Sequence, residues 1–190
     1  MDSWSTRTQP HDEYFVAEEP ATYVGARPTV YLDTSIPSCL TARLSRDVEI
    51  ARRQRITRVW WETYRGDYDL WVSERVLSEA GSGDSGAAQE RLVALAGVSS
   101  FNPSAESDAL VIRLIGNGLL PEKARADAEH IAIAATNSVR FLLTWNCKHL
   151  ANLVIHRGVV RMCEAHGFRC PSICTPEKLM EASTHERSTT

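Results

Sequence analysis

An aspartate ends a short apolar run near the start of the chain, and it is the first candidate for chemistry. The run Thr29-Val30-Tyr31-Leu32 contains β-branched and aromatic residues, which predicts a strand, and Asp33 follows it directly. In a parallel α/β sheet the binding crevice lies beyond the carboxyl ends of the strands. Thr34 or Ser35 suits the cap of a following helix, with Pro37 in its first turn. We therefore interpret Asp33 as a functional acid on a rigid strand end.

Three further residues are candidates to join Asp33. Glu79 lies on a short helix after the second predicted strand, Asp127 in the first half of the helix before the fourth, and Asn146 just beyond the fourth. Carboxylates held close together repel one another, so such a cluster needs a cation. Oxygen ligands suit Mg²⁺ or Mn²⁺, which can activate water for attack on phosphorus. The set predicts metal-dependent phosphodiester hydrolysis.

The elements that must position these residues alternate between strand and helix. Strands are predicted at 30–33, 69–72, 98–101, 141–144 and 169–173. Helices are predicted at 35–64, 74–80, 85–96, 104–115, 122–137 and 152–165. Short strands that are apolar on both faces and separated by helices are typical of a parallel sheet covered on both sides. Right-handed crossovers then bring the carboxyl ends of the strands to one edge.

Composition narrows the class of protein. The chain has 190 residues, of which 43% are hydrophobic, and this is enough for one domain with extensions. We expect residues 1–27 to form a flexible arm, residues 28–182 the domain and residues 183–190 a disordered tail. The net charge of −3 gives no overall sign of nucleic-acid binding. No apolar run reaches the roughly 20 residues that span a bilayer, so no membrane association is expected.

Five cysteines and the absence of a signal-peptide pattern predict free thiols in a cytoplasmic protein. Cys163, His166, Cys170 and Cys174 are close together in sequence and suggest zinc as an alternative. Their spacing matches none of the paired short-spacer patterns of zinc sites. Cys163 and Cys170 also suit core positions, where cysteine behaves as a small hydrophobe.

Four blocks of sequence then occur in a specific order. They are residues 30–38 (VYLDTSIPS), 72–80 (VSERVLSEA), 126–134 (ADAEHIAIA) and 142–150 (LLTWNCKHL). In order and spacing they resemble PIN-domain proteins of the VapC-like kind, the ribonuclease toxins of bacterial toxin–antitoxin pairs. The resemblance covers about residues 29–175. It implies a three-layer PIN-like α/β fold with a five-stranded parallel sheet between helices, and an endoribonuclease with an acidic pocket for Mg²⁺ or Mn²⁺.

The resemblance also implies roles for single residues. Asp33, Glu79 and Asp127 fall on the family's acidic positions, as catalytic residues and metal ligands. The fourth acidic position carries Asn146, an auxiliary ligand that brings no charge. Thr144 falls on a hydroxyl position beside the pocket. Thr34 and His130 complete the predicted pocket, the latter because it lies three residues after Asp127 on the same helix face.

A basic segment is the candidate surface for RNA. Residues 40–60 hold six arginines against two acidic residues, and basic stripes attract phosphate backbones. Arg43 and Arg46 in this segment, with Lys148 after the fourth strand, are the candidate RNA contacts, and a solvated surface is the plain alternative. The family resemblance implies RNA as substrate, a possible antitoxin partner and a homodimer.

Two other functions remain open from the sequence. The first is a catalytically weak or inactive PIN fold that acts as a nucleic-acid-binding or protein-binding module, which the uncharged Asn146 favours. The second is a phosphatase with an aspartyl nucleophile, although Asp33-Thr34-Ser35 lacks a second aspartate two residues on.

Asp84 is a further acid that the sequence places near the edge of the pocket.

Overall fold

Five strands form one parallel sheet in the computed structural model, which describes residues 27–146 and 153–188. They are β1 (Thr29–Leu32), β2 (Asp69–Ser73), β3 (Ser99–Phe101), β4 (Phe141–Leu143) and β5 (Ser172–Cys174). The strand order is β3-β2-β1-β4-β5, with Tyr31 paired to Trp71 on one side and to Leu142 on the other. The predicted α/β class with a five-stranded parallel sheet is confirmed.

Eight α-helices surround the sheet in the described part of the chain. They are α1 (Ser35–Thr41), α2 (Val48–Thr63), α3 (Glu74–Ala80), α4 (Ser85–Ala94), α5 (Ala105–Gly116), α6 (Arg125–Thr136), α7 (Leu153–Ala165) and α8 (Pro176–Ser188). One group packs through α1 against α2 and α4, and through α2 against α8, whereas α5 packs against α6 and α7. With right-handed crossovers, these two groups cover opposite faces of the sheet. The predicted three-layer arrangement is therefore confirmed.

The centre of the core lies on β1. Val30, Tyr31 and Leu32 are fully buried, as are Leu142 and Leu143 of the neighbouring β4. Successive side chains of a strand point to opposite faces, so a run without polar residues needs helices on both sides of the sheet. Each such side chain contributes about 1.5–3 kcal/mol by burial. This packing fixes the strand ends that carry Asp33 and Thr144.

The predicted helix 35–64 is two helices in the structure. Asp47 begins the second of them, because its side chain accepts a hydrogen bond from the backbone N of Ile50 (2.9 Å). Gln54 is buried and satisfies the backbone of the connecting loop, since it donates to the Arg43 carbonyl and accepts from the Ser45 N–H. The many arginines in this stretch leave no periodic apolar pattern in the sequence, so this break could not be predicted from it.

The C-terminal part of the chain differs from the prediction in two places. The tail predicted to be disordered from residue 183 continues as helix α8 through residue 188. The physical reason is docking, since Leu179 is buried and the Ser183 hydroxyl lies 2.5 Å from the hydroxyl of Tyr68. The last strand lies at 172–174 instead of 169–173. The predicted arm lies outside the described residues, apart from Arg27.

Among the described helices, none combines the length and the apolarity needed to cross a membrane.

Candidate active site

Asp33 lies at the carboxyl end of β1 and is only 4% exposed. Its Oδ1 accepts hydrogen bonds from the Ser35 backbone N (2.7 Å) and from the Ser35 hydroxyl, and its Oδ2 accepts from the Thr144 hydroxyl (2.5 Å). A buried carboxylate is costly unless hydrogen-bond donors compensate it. Asp33 thus accepts the hydrogen bond from the first backbone N–H of α1, that of Ser35. Thr34 occupies the cap position, but its side chain makes no capping hydrogen bond.

Thr34 instead reaches Glu79 on α3. Its hydroxyl donates to Glu79 Oε2 (2.5 Å), and Arg75 Nε donates to Glu79 Oε1 (2.5 Å). Both oxygens of Glu79 are therefore engaged. The side chain is 30% exposed, so Glu79 lies at the mouth of the site and Asp33 lies deeper.

Asp127 and Asn146 form the other side of the site. Asp127 lies in the first turn of α6 and is 7% exposed, and its Oδ1 accepts from Asn146 Nδ2 (2.7 Å). The backbone N of Asn146 donates to the Thr144 hydroxyl (2.8 Å), which itself donates to Asp33. A continuous set of hydrogen bonds thus connects Asp127 to Asp33 through residues at the end of β4.

His130 lies behind Glu79 and is buried. Its Nδ1 is 2.9 Å from the Tyr31 hydroxyl, which is 2.7 Å from the Ser73 hydroxyl, and its Nε2 is 3.7 Å from Glu79 Oε2. Burial raises the pKa of Tyr31, which keeps the phenol neutral. A buried series of hydrogen bonds through Tyr31 to Ser73 therefore holds His130, whose Nε2 faces Glu79.

The pKa of Glu79 is lowered to about 2, mainly by the imidazole of His130 and further by hydrogen bonds from Thr34 and Arg75. A carboxyl whose pKa is lowered on folding stabilises the protein above its unfolded pKa, and this contribution is lost as the pH falls to the folded pKa. In EDTA, we expect wild type to lose more stability than Glu79→Gln between about pH 4.5 and pH 2. Urea unfolding of both proteins across this range measures the difference, and parallel curves would contradict the assigned pKa.

The fit of these residues to a divalent cation has two parts. The donors are carboxylate and amide oxygens, which is the chemistry that Mg²⁺ and Mn²⁺ require. Within residues 27–146 and 153–188, however, no three carboxylate, imidazole or thiol groups are arranged as a metal-binding group. Hydroxyl, amide and guanidinium donors lie between the acids and hydrogen-bond them. The residues fit a cation in type, and binding it would require some of these donors to give way.

The remaining predicted residues lie away from this set or outside the described part. Asp84 caps α4 by accepting from the Ala87 N–H, and it is exposed. Arg43 and Arg46 are exposed in the loop before α2. Lys148 lies outside the described residues. The residues suggested as a zinc site form no metal-binding group in the described part of the chain. One of them, His166, instead contacts the Met162 carbonyl through Nδ1 (2.8 Å).

Four residues of the site were missed from the sequence. Ser35 donates to Asp33 and also accepts from the Trp145 backbone N (2.8 Å), which ties α1 to the end of β4. Arg75 bridges Glu79 and Glu129, with its Nη1 2.8 Å from Glu129 Oε2. The spacing of four residues between Arg75 and Glu79 was a readable signal, because such pairs are neighbours on a helix. No signal in the sequence points to Glu129 or to Trp145.

The five-stranded parallel sheet between two helical layers is the arrangement that the sequence resemblance predicted. No family model matches the chain, and no curated protein matches it. Among solved structures, it is similar to VapC20 of Mycobacterium tuberculosis, a toxin that cleaves the sarcin–ricin loop, with 16% identity over 65% of this chain and 94% of that chain, at a TM-score of 0.49. It is also similar to VapBC2 of Rickettsia felis bound to a DNA fragment from their promoter, with 16% identity over 77% and 98%, at a TM-score of 0.44. These likenesses concern the arrangement of the elements and assign no role to a residue.

Proposed function

We propose that this protein is a metal-dependent endoribonuclease of the VapC-like PIN type, acting at the Asp33 site. The observation that supports the proposal is that three acids from separate segments lie at one edge of the sheet. Asp33 and Asp127 are linked through Thr144 and Asn146, and Glu79 accepts from Thr34, the residue after Asp33. The strand order reverses between β1 and β4, which is where open α/β sheets bind ligands.

Asp33, Glu79 and Asp127 are the residues that would hold Mg²⁺ or Mn²⁺, with Asn146 as an auxiliary ligand. When bound, the cation supplies an activated water and neutralises charge that develops on the phosphate. Thr144 orients Asp33 and Thr34 orients Glu79 through their hydroxyl donors. His130 Nε2 lies 3.7 Å from Glu79 Oε2, on the buried side of this carboxylate.

RNA is the proposed substrate. Arg43 and Arg46 are exposed next to α2, and their guanidinium groups have no hydrogen bond or ion pair within the described residues. They are therefore available for phosphates, and Lys148 remains a predicted contact. An antitoxin partner and a homodimer belong to the same proposal and rest on the sequence resemblance. A cytoplasmic location is proposed from the free cysteines and the absence of a signal-peptide pattern.

A second candidate function is a binding module with a PIN-like fold and little or no activity. The specific observation in its favour is that Asn146 donates to Asp127 where the related family carries an acid. In such a protein the hydrogen bonds among the acids would be the final state of the site, and no cation would replace them.

Metal removal distinguishes the two functions. We expect the purified protein to cleave a mixed RNA substrate with Mg²⁺ or Mn²⁺, and to lose cleavage in excess EDTA, because the acids alone cannot stabilise charge on the phosphate. The measurement is the initial rate of cleavage on a gel with an end-labelled RNA, with added sodium chloride in place of EDTA as a control for ionic strength. Cleavage that persists in EDTA would contradict the metal mechanism, and no cleavage with any metal would favour the binding module.

A further inference from the structure

Arg75 occupies the mouth of the acidic site with its guanidinium group. Its Nε lies 2.5 Å from Glu79 Oε1, and its Nη1 lies 2.8 Å from Glu129 Oε2. Glu79 belongs to α3, whereas Glu129 belongs to α6, two residues after Asp127. One guanidinium therefore connects the two helices that carry outer acids of the site. The side chain is 39% exposed, so it lies at the border between the site and solvent.

The geometry of Glu79 shows what this contact does to a metal site. Of its two oxygens, Oε1 accepts from Arg75 and Oε2 accepts from Thr34. A hydroxyl can rotate and accept a different partner, but a guanidinium carries a fixed positive charge and has no acceptor. A divalent cation at Glu79 would therefore meet a positive charge that already holds the carboxylate.

The charges of the site point in the same direction. Glu79 and Glu129 both bind the Arg75 guanidinium, so one positive charge is shared by two carboxylates. Asp33 and Asp127, by contrast, accept hydrogen bonds from neutral donors. Arg75 therefore supplies positive charge at Glu79 and Glu129, on the outer side of the site.

We propose that Arg75 competes with the metal: its guanidinium takes the place of a divalent cation at Glu79 in the metal-free protein and weakens divalent binding. This inference rests on the proposed function, since it concerns the same acids. Arg75 is in this sense a positioning residue that acts through Glu79. Binding of a divalent cation then requires the Arg75–Glu79 ion pair to open, or Glu79 to contact both cations at once.

The test is titration of the full-length protein with Mn²⁺ alone, followed by calorimetry. Arg75→Gln removes the charge and keeps a hydrogen-bond donor, and we expect it to bind Mn²⁺ about tenfold more tightly than wild type. Arg113→Gln is the matched control, because Arg113 is exposed on α5 and its loss changes the net charge by the same amount. Its affinity should stay within about twofold of wild type, because an exposed distant charge is screened. Arg75→Lys keeps the charge and should also remain close to wild type.

Thermal unfolding gives a second measurement that does not depend on activity. In EDTA, Arg75→Gln should melt below wild type, because Glu79 and Glu129 lose their shared partner. On addition of Mn²⁺ its melting temperature should rise by more than that of wild type, since ligand binding stabilises in proportion to affinity. Arg75→Met, which keeps the packing of the side-chain stem, replaces the glutamine variant if the latter does not fold.

The outcomes separate this inference from the proposed function. Equal or weaker Mn²⁺ binding by Arg75→Gln, with normal binding and RNA cleavage by wild type, would overturn the competition and leave the ribonuclease intact. Absence of Mn²⁺ binding from wild type and all variants would overturn the metal site itself, and with it both proposals. Binding by Arg75→Gln but not by wild type would support the competition in its strongest form.

Discussion

Replacing Asp33 with asparagine is expected to lower the rate of metal-dependent RNA cleavage by about a thousandfold, because a cation supplies several kcal/mol of charge stabilisation. Asp33 is the most deeply buried of the three acids, so water has the least access to replace its carboxylate as a ligand. An amide oxygen in its place can still accept hydrogen bonds but holds a divalent cation far more weakly. Initial cleavage rates in Mn²⁺ measure the effect.

The structure also indicates that this variant folds. The oxygen of asparagine can keep the two hydrogen bonds from Ser35, and its NH₂ group would lie against the Thr144 hydroxyl, which can turn to accept. The cost is about 1 kcal/mol for the rearranged hydrogen bond. Asp108→Asn, at an exposed position on α5, is the control for the loss of one charge. Undiminished cleavage by Asp33→Asn would remove Asp33 from the catalytic set.

Replacing Thr144 with valine is expected to destabilise the protein by about 2–4 kcal/mol. The Thr144 hydroxyl is buried, donates to Asp33 Oδ2 (2.5 Å) and accepts from the Asn146 backbone N (2.8 Å). Valine has nearly the same shape but leaves both partners without this bond, and an unsatisfied charged group costs more than a neutral one. Urea unfolding in EDTA measures the change in the free energy of unfolding.

The serine variant isolates the contribution of the hydroxyl. Thr144→Ser keeps both hydrogen bonds and loses one methyl group, so we expect a cost of about 1 kcal/mol. If Thr144→Val and Thr144→Ser were equally stable, the hydrogen bonds would contribute little and the packing of the methyl group would dominate.

The parts of the fold that the sequence predicted follow from short-range patterns. Val30–Leu32 is apolar at every position, which only a central parallel strand accommodates, and the acid after it is thereby placed at the sheet edge. The same rule placed Thr144 and Asn146 beside Asp33, because parallel strands end together. Which donor each acid receives depends instead on rotamers and on distances between helices. For that reason the sharing of Arg75 between Glu79 and Glu129, and the donation from Asn146 to Asp127, could not be predicted.

The break between α1 and α2 shows a second limit. Asp47 is a good capping residue, but the arginines around it also favour helix, and the local signals conflict. The conflict is resolved by Gln54, whose buried amide bonds the loop backbone, and such a contact between a helix and a loop leaves no periodic pattern in the sequence.

The hydrogen bond between Asp33 and Thr144 spans 111 positions of the chain, and this separation determines when the site can exist. Domains are synthesised from the N-terminus, so Asp33 and Glu79 leave the ribosome well before Asp127 and β4. Until β4 emerges, the central strand lacks its neighbour on that side and Asp33 lacks one of its donors. A partly made chain therefore has no complete site. Under the proposed function, a nascent chain therefore cannot cleave RNA before β4 has emerged.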